Sequence, residues 1–381
     1  MKMFATLLLF LTISMQPAFA NTPAPSSQDA LFSEWMSYYY LRKDNSKTED
    51  FIKWLQDSQI LENKETALKP FAAFLSEVFK ENPSQVLAWV SSAKPTGKTK
   101  EALEFGLWLS GNSGIIYELF KETPDFAKTS VIPLSNLSPR NPADLDMMWG
   151  AFCATGDDQF VRKIINVLDD STPLAGNSTI DTLTRRAAEW SLGSNMLQHE
   201  LVNRIVRKEA TARSGETKQK LLKIISSTDD EITRNSFPNH VGEFSALLVV
   251  TPEKALKEFD KPSTEVMLIK EASKAKRGDI VAVKLVFTGM ALSNDLSADV
   301  TFDTKILDPN GNIYGGSDQK GMAALRGKVP MRFRIFDNGS FIKIRFEPKD
   351  ILGKYKVISV IHDNVGKKQI TLIKEIELTS E

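Results

Sequence analysis

Residues 331–346 read MRFRIFDNGSFIKIRF. Apolar side chains alternate with polar or charged ones on both sides of a single Asn-Gly. A period of two is the mark of a half-buried strand, and Asn-Gly between two such runs is the strongest short-range signal for a two-residue hairpin. With Asn338 and Gly339 as the loop, the register follows. Phe336 faces Phe341. Ile335 faces Ile342, Phe333 faces Ile344 and Met331 faces Phe346 on the core side. The outer side then sets Arg334 against Lys343 and Arg332 against Arg345. Like charges directly opposed are destabilising by about a few tenths of a kcal/mol. Such a ladder therefore predicts either a solvated edge guarded against aggregation or a surface that meets an anion.

The same period runs through the residues on either side. Val281, Val283, Leu285 and Phe287 alternate with Ala282, Lys284 and Val286, and Val300, Phe302 and Ile306 with Thr301, Asp303 and Lys305. Turn signals recur at Asp308-Pro309-Asn310-Gly311, Gly353 and Asp363-Asn364-Val365-Gly366. Roughly eight or nine short strands in residues 241–381 predict an antiparallel β-sandwich. From Asp29 to Ile225 the apolar spacing is helical instead, with stripes such as Phe71, Phe74, Leu75, Val78 and Phe79. About ten short helices broken by Pro, Gly, Asn and Asp predict an α-helical domain over residues 27–226, built as an array of helical hairpins. The polar stretch STDDEITRNSFPNH, residues 227–240, contains Pro238 and reads as the linker between the two. The expected fold class is thus multidomain, all-α followed by all-β.

The chain begins MKMFATLLLFLTISMQPAFA. A charged Lys2, a short apolar run and Ala18-Phe19-Ala20 make residues 1–20 a secretory signal peptide. No later segment is long and apolar enough for a membrane span. The expected address is therefore exported, periplasmic or secreted. Lys plus Arg equal Asp plus Glu, 48 of each. Residues 1–240 hold 26 basic and 29 acidic side chains and residues 241–381 hold 22 and 19, so the two parts stand at −3 and +3. Neither looks like a nucleic-acid binder. With Cys153 as the single cysteine, no intramolecular disulfide can form, and stability has to come from packing.

The segments GEFSALLVVTPE, RGDIVAVKLVFTG, LDPNGNIYGG and DILGKYKV, with LDMMWGAFCATGD and AAEWSLGSN in the helical part, resemble a family of bacterial exported proteins that joins a helical domain to an immunoglobulin-like β-sandwich domain, with no known activity. The resemblance implies fold and compartment. It brings no catalytic residue. In DILGKYKV it places Tyr355 where a tyrosine corner would open a core strand.

Each chemical candidate has a packing explanation beside it. Asn141 and Pro142 read as the cap and first turn of a helix, which puts Leu145, Met148, Trp149, Phe152 and Cys153 on one buried stripe. A buried thiol is inert. HELVN, starting at His199, approaches a zinc-helix pattern, but Asn203 replaces its second His, so no metal site is expected. SAKPTGKT, residues 92–99, ends like a phosphate loop, but Ser92 stands where the motif needs Gly and a helix precedes it. The six Trp and Tyr38–Tyr40 lie mostly on helical stripes. No catalytic set and no cofactor is expected. The sequence favours a non-catalytic binding or interaction protein. Its partner would be another protein or an anionic envelope component, met through Arg332, Arg334, Lys343 and Arg345. The alternative is a polysaccharide lyase-like enzyme with His199 and Asn203 in a groove of the helical domain.

Overall fold

The computed structural model describes residues 27–171, 173–260 and 270–380; the predicted signal peptide lies outside them. Among these residues the chain is helical up to Arg234 and stranded from Asn239. It divides into two units between Thr228 and Asp229. The helices are α1 Ser27–Ser37, α2 Tyr39–Arg42, α3 Thr48–Asp57, α4 Ile60–Asn63, α5 Leu68–Glu81, α6 Pro83–Ala93, α7 Gly97–Leu109, α8 Ser113–Phe120, α9 Pro142–Thr155, α10 Asp158–Asn166, α11 Ser178–Gln198, α12 Glu200–Ala212 and α13 Gly215–Arg234. The stretch expected as a linker is half helix. Ile225, Thr228 and Ile232 keep a helical spacing, and Thr228 and Thr233 return their hydroxyls to the carbonyls of Ile224 and Asp229, so α13 runs on to Arg234.

In the helical unit α5 is buried on every side, from Phe71 and Ala72 to Val78 and Phe79. It packs most extensively on α9 and α7 rather than on its chain neighbour α6. α7 and α9 thus flank α5, while the successive helices α7 and α8, α9 and α10, and α11 and α12 pack on each other in pairs. Glycines permit the close approach. A Cβ on Gly150 of α9 would lie 2.3 Å from the carbonyl oxygen of Pro70, and one on Gly106 of α7 would lie 3.1 Å from that of Ala72. Asn141 caps α9 through the amide of Asp144, with Pro142 in the first turn, as the sequence predicts.

The second unit holds β1 Asn239–Val241, β2 Phe244–Pro252, β3 Lys274–Lys276, β4 Ile280–Thr288, β5 Ser297–Leu307, β6 Gln319–Lys328, β7 Phe336–Asp337, β8 Ile342–Arg345, β9 Gly353–Asp363 and β10 Lys368–Thr379. One sheet is ordered β1-β2-β4, with β7 and β8 both along the outer side of β4. The other is β3-β10-β9-β5-β6. Alternate residues of β2, β4, β5, β9 and β10, among them Phe244, Leu285, Phe302, Tyr355 and Ile376, interleave in one core between the sheets. The pairing is antiparallel except for β3, which runs parallel to β10 because the chain changes sheets between Lys276 and Ile280.

The hairpin expected at Asn338-Gly339 does not form. Phe336 and Asp337 pair with Phe287 and Val286, then Ile342 to Arg345 pair with Val283 to Ile280. The chain keeps its direction, and 338–341 bulge out opposite only Leu285 and Lys284. The cause lies on β4. Its outer face, expected to be solvated, is covered, and Lys284 is only 3% exposed. Lys284 Nζ reaches Asp337 Oδ1 at 2.9 Å and the Gly339 carbonyl at 3.5 Å, and sits 4.1 Å from the Phe341 ring centroid. A buried ammonium without a counter-charge costs several kcal/mol. Running the chain on along β4 supplies one, and a hairpin reversing at Asn338 would remove β8 from its place on β4.

Replacing a helical glycine by alanine ordinarily stabilises by up to about 1 kcal/mol. For Gly150→Ala the clash with Pro70 reverses the sign. We expect a loss of roughly 1–3 kcal/mol in chemical denaturation, and a gain would show that α5 and α9 are not in this close contact.

Candidate functional site

The sequence candidates of the helical unit converge, but inside the core. Ser191, Asn195, His199 and Asn203 recur every four residues along α11 and into α12, and all four are buried. His199 is 0% exposed. It joins the two helices, with its amide on the Asn195 carbonyl and its carbonyl receiving the Asn203 amide. Its ring packs against Tyr38, Tyr40 and Phe152 at 5.1, 5.9 and 5.7 Å between centroids. Tyr40 Oη stands 3.3 Å from His199 Nδ1. Burial, and next the neighbouring Cys153, hold the Tyr40 hydroxyl well above its ordinary pKa. Asn203 is committed as well, accepting from Arg207 Nε at 2.7 Å.

Cys153 is buried on the stripe that its spacing predicts, and burial pushes its thiol up to about 12. At neutral pH it is no nucleophile. A His and a Cys thus meet a Tyr within packed surroundings, His199 and Cys153 both closed off from solvent. A polymer cannot reach His199 or Asn203, so the lyase-like reading finds no groove at those residues. The phosphate-loop-like segment is filled from within: Glu62 Oε1 accepts the Lys98 amide at the start of α7, at 2.7 Å. Four of the six Trp are buried, Trp108 is half-buried and Trp190 is exposed.

A surface depression of about 460 Å³ lies between α11 and α13. Its charges cancel, with Arg185, Arg186 and Lys220 against Asp170, Asp181 and Glu189. Asp170 Oδ1 bridges Arg185 Nε at 2.9 Å and Lys220 Nζ at 2.8 Å. The lysine's hydrogen bond holds the Asp170 carboxyl below its usual range. This cluster ties residues 169–171 and 173–175 down and carries no net charge.

The cations of 331–346 are displayed differently. Because the chain runs straight along β4, Arg332 stands beside Gly289, whose amide bonds its carbonyl, and Arg345 stands beside Ile280. Nine residues of strand separate these levels, or about 30 Å. The predicted face-to-face pairs Arg332/Arg345 and Arg334/Lys343 do not exist. Lys343 and Arg345 lie on β8 at one sheet edge, while Arg332 and Arg334 lie in the turn before β7, and the end members stand beyond the screening length of about 8 Å at physiological salt. Arg332 pairs with Glu243 at 3.1 Å and Lys343 with Glu253 at 2.7 Å. Arg334 is half-buried, and Arg345 is exposed. Ile335, expected in the core, is 62% exposed. The other margins are basic too, with Lys274 and Lys276 on β3 and Lys320, Arg326 and Lys328 on β6. β6 is also twice irregular against β5, a feature that keeps an open edge from pairing with other chains.

Two notable groups escaped the sequence reading. Lys284 looked like an outward residue of an alternating strand. The signal that could have found it is the unbroken apolar run around it, which marks a strand covered on both faces. Asp146, in the first turns of α9, carries no signal in the sequence. Its Oδ2 is buried without a hydrogen-bond partner among the described residues, and burial pushes the carboxyl up from 3.8 to about 7. A raised carboxyl favours the fold fully at acid pH, and that contribution drains away as the pH climbs from 3.8 to about 7. Asp146→Asn should therefore stabilise at pH 8 relative to wild type, by up to about 4 kcal/mol at about 1.4 kcal/mol per unit, with the gain shrinking toward pH 4. Denaturation series at both pH values check this, and a pH-independent difference would contradict it.

No family model matches the chain, and no curated protein matches it. Among solved structures, a family 123 glycoside hydrolase from Clostridium perfringens is similar at 13% identity and a TM-score of 0.23, over 36% of this chain and 28% of that one. A Niemann-Pick type C2 protein from the Japanese carpenter ant gives 9% and 0.21, over 36% of this chain and 91% of its own. The Pseudomonas fluorescens alkylpurine DNA glycosylase AlkC gives 10% and 0.22, over 88% and 82%. The chain thus spans well under a third of the hydrolase, and at these scores none of the three bears on fold or function.

Proposed function

We propose that this is an exported, non-catalytic binding protein whose C-terminal unit is an immunoglobulin-like sandwich, and that the edge formed by β7 and β8 takes an extended anionic partner. The spread of Lys343 and Arg345 on β8 and of Arg332 and Arg334 in the turn before β7, over about 30 Å, carries this reading. A compact anion could touch one or two of these side chains at a time. A linear polyanion of the cell envelope, such as an acidic polysaccharide, can touch all of them. The pairs with Glu243 and Glu253 are exposed, and such pairs are worth about 0–1 kcal/mol, so an incoming anion can replace them. The burial of His199, Asn203 and Cys153 supports a role without catalysis. The leader-like first twenty residues support export.

The immunoglobulin-like assignment is supported by the strand order, with β2, β4 and the β7–β8 path facing β3-β10-β9-β5-β6. It is also supported by Tyr355 near the start of β9, whose hydroxyl donates to the Ile351 carbonyl at 3.0 Å as a tyrosine corner does.

The test is retention on sulfated dextran, with Lys343→Glu/Arg345→Glu as the variant because both side chains are exposed on β8. Wild type should bind at low salt and release as salt rises. The variant should bind about tenfold more weakly, a change of about 1.4 kcal/mol, and elute earlier. Identical elution of the two proteins would sink the proposal.

A further inference from the structure

Asn-Gly pairs are chemical weak points, because the glycine nitrogen is unhindered. That nitrogen can attack the asparagine Cγ. The N–Cγ bond forms, the Cγ–Nδ2 bond breaks, and ammonia leaves with the glycine amide proton. Water then opens the succinimide at either carbonyl, giving aspartate or isoaspartate, the latter with one more methylene in the backbone. Asparagine is a thermolabile residue for this kind of reason.

The chain has two such pairs, Asn310-Gly311 and Asn338-Gly339. In both, the glycine amide is already bonded, that of Gly311 to the Asp308 carbonyl at 2.9 Å and that of Gly339 to Asp337 Oδ1 at 2.6 Å. The asparagines differ. Asn310 is exposed in a turn. Asn338 is 4% exposed, and its side chain replaces a missing rung of the sheet. Its Oδ1 accepts the Leu285 amide at 3.1 Å while its backbone N–H donates to the Leu285 carbonyl at 3.2 Å. Cγ is therefore held toward β4, away from the fold-back that ring closure needs. What pins this arrangement is the next residue of β4, since Lys284 holds Asp337 at 2.9 Å and lies against the Phe341 ring. The clamp spans the bulge from both sides.

We propose that Asn338 is a deamidation site kept shut by the Lys284–Asp337 clamp, and that its conversion permanently opens the sheet edge along β7 and β8. Isoaspartate lengthens the path between the two strands and draws the side-chain oxygen off Leu285. Aspartate sets a buried carboxylate beside the half-exposed one of Asp337. Either product loses the Asn338 geometry, and re-forming the clamp does not restore it.

The experiment is timed incubation of the full chain at mildly alkaline pH, with peptide mapping by mass spectrometry at both sites. Asn310 serves as the internal reference. In the folded wild type, Asn338 should convert at least about tenfold more slowly than Asn310, because it reacts only from an opened state. In denaturant the two rates should come together. In Lys284→Met the Asn338 rate should rise toward that of Asn310 while the Asn310 rate stays put; if that variant does not fold, Asp337→Ser makes the same comparison. Hydrogen exchange at the Leu285 amide should quicken in the converted fraction. Equal rates at the two sites in folded wild type, an Asn338 rate unmoved by loss of the clamp, or unchanged Leu285 exchange after conversion would each overturn the proposal.

Discussion

The organisation of the C-terminal unit turns on one buried charge. Lys284 points to the side of β4 away from the sandwich core, yet it does not reach water. A 3-10 helical segment, Glu253–Asp260, brings Phe259 over it, and Phe341 closes the other side, the two rings meeting at 5.3 Å. An ammonium in that place needs a counter-charge and hydrogen-bond acceptors on the neighbouring strand. Asp337 and Gly339 supply them. They can do so only if the chain passes along β4 with a bulge, and that one requirement sets the register of β7 and β8, the role of Asn338 in the ladder and the spread of the cations.

The helical unit solves a different problem, the burial of a helix whose middle, from Phe71 to Phe79, is covered all round. α5 needs apolar neighbours all round, and glycines in α7 and α9 bring two of them to backbone contact. The polar residues that looked chemical in the sequence are then absorbed by packing. His199 closes a ring cluster with Tyr38, Tyr40 and Phe152, and Asn203 orients an arginine. Nothing about a histidine or an asparagine in one dimension tells whether it faces a groove or a wall of rings. The fold decides that, and here it chose the wall.

Legibility was uneven for physical reasons. The cap of α9 and the burial of Cys153 follow from short-range rules, namely a side chain bonding an amide three residues on and a stripe at helical spacing, and both were readable. The alternation in β4 and β5 was readable because their inner faces share one core. The end of α13 was misjudged because a polar helix surface and a polar linker have the same composition. The Asn-Gly at 338–339 was misread because a local turn preference of modest strength met a buried lysine fifty-four residues upstream.

Periodicity and composition alone placed the change from helix to strand within residues 227–240, the inward positions of the strands read as alternating and the impossibility of an intramolecular disulfide. These depend on periodicity and composition, which survive projection onto a line. Which strand covers which edge, whether four cations face one another or stand apart, and whether His199 meets solvent were set by the fold. Those outcomes rest on the cost of leaving a distant buried charge or backbone group unpaired, and that cost exists only once the chain has folded around it.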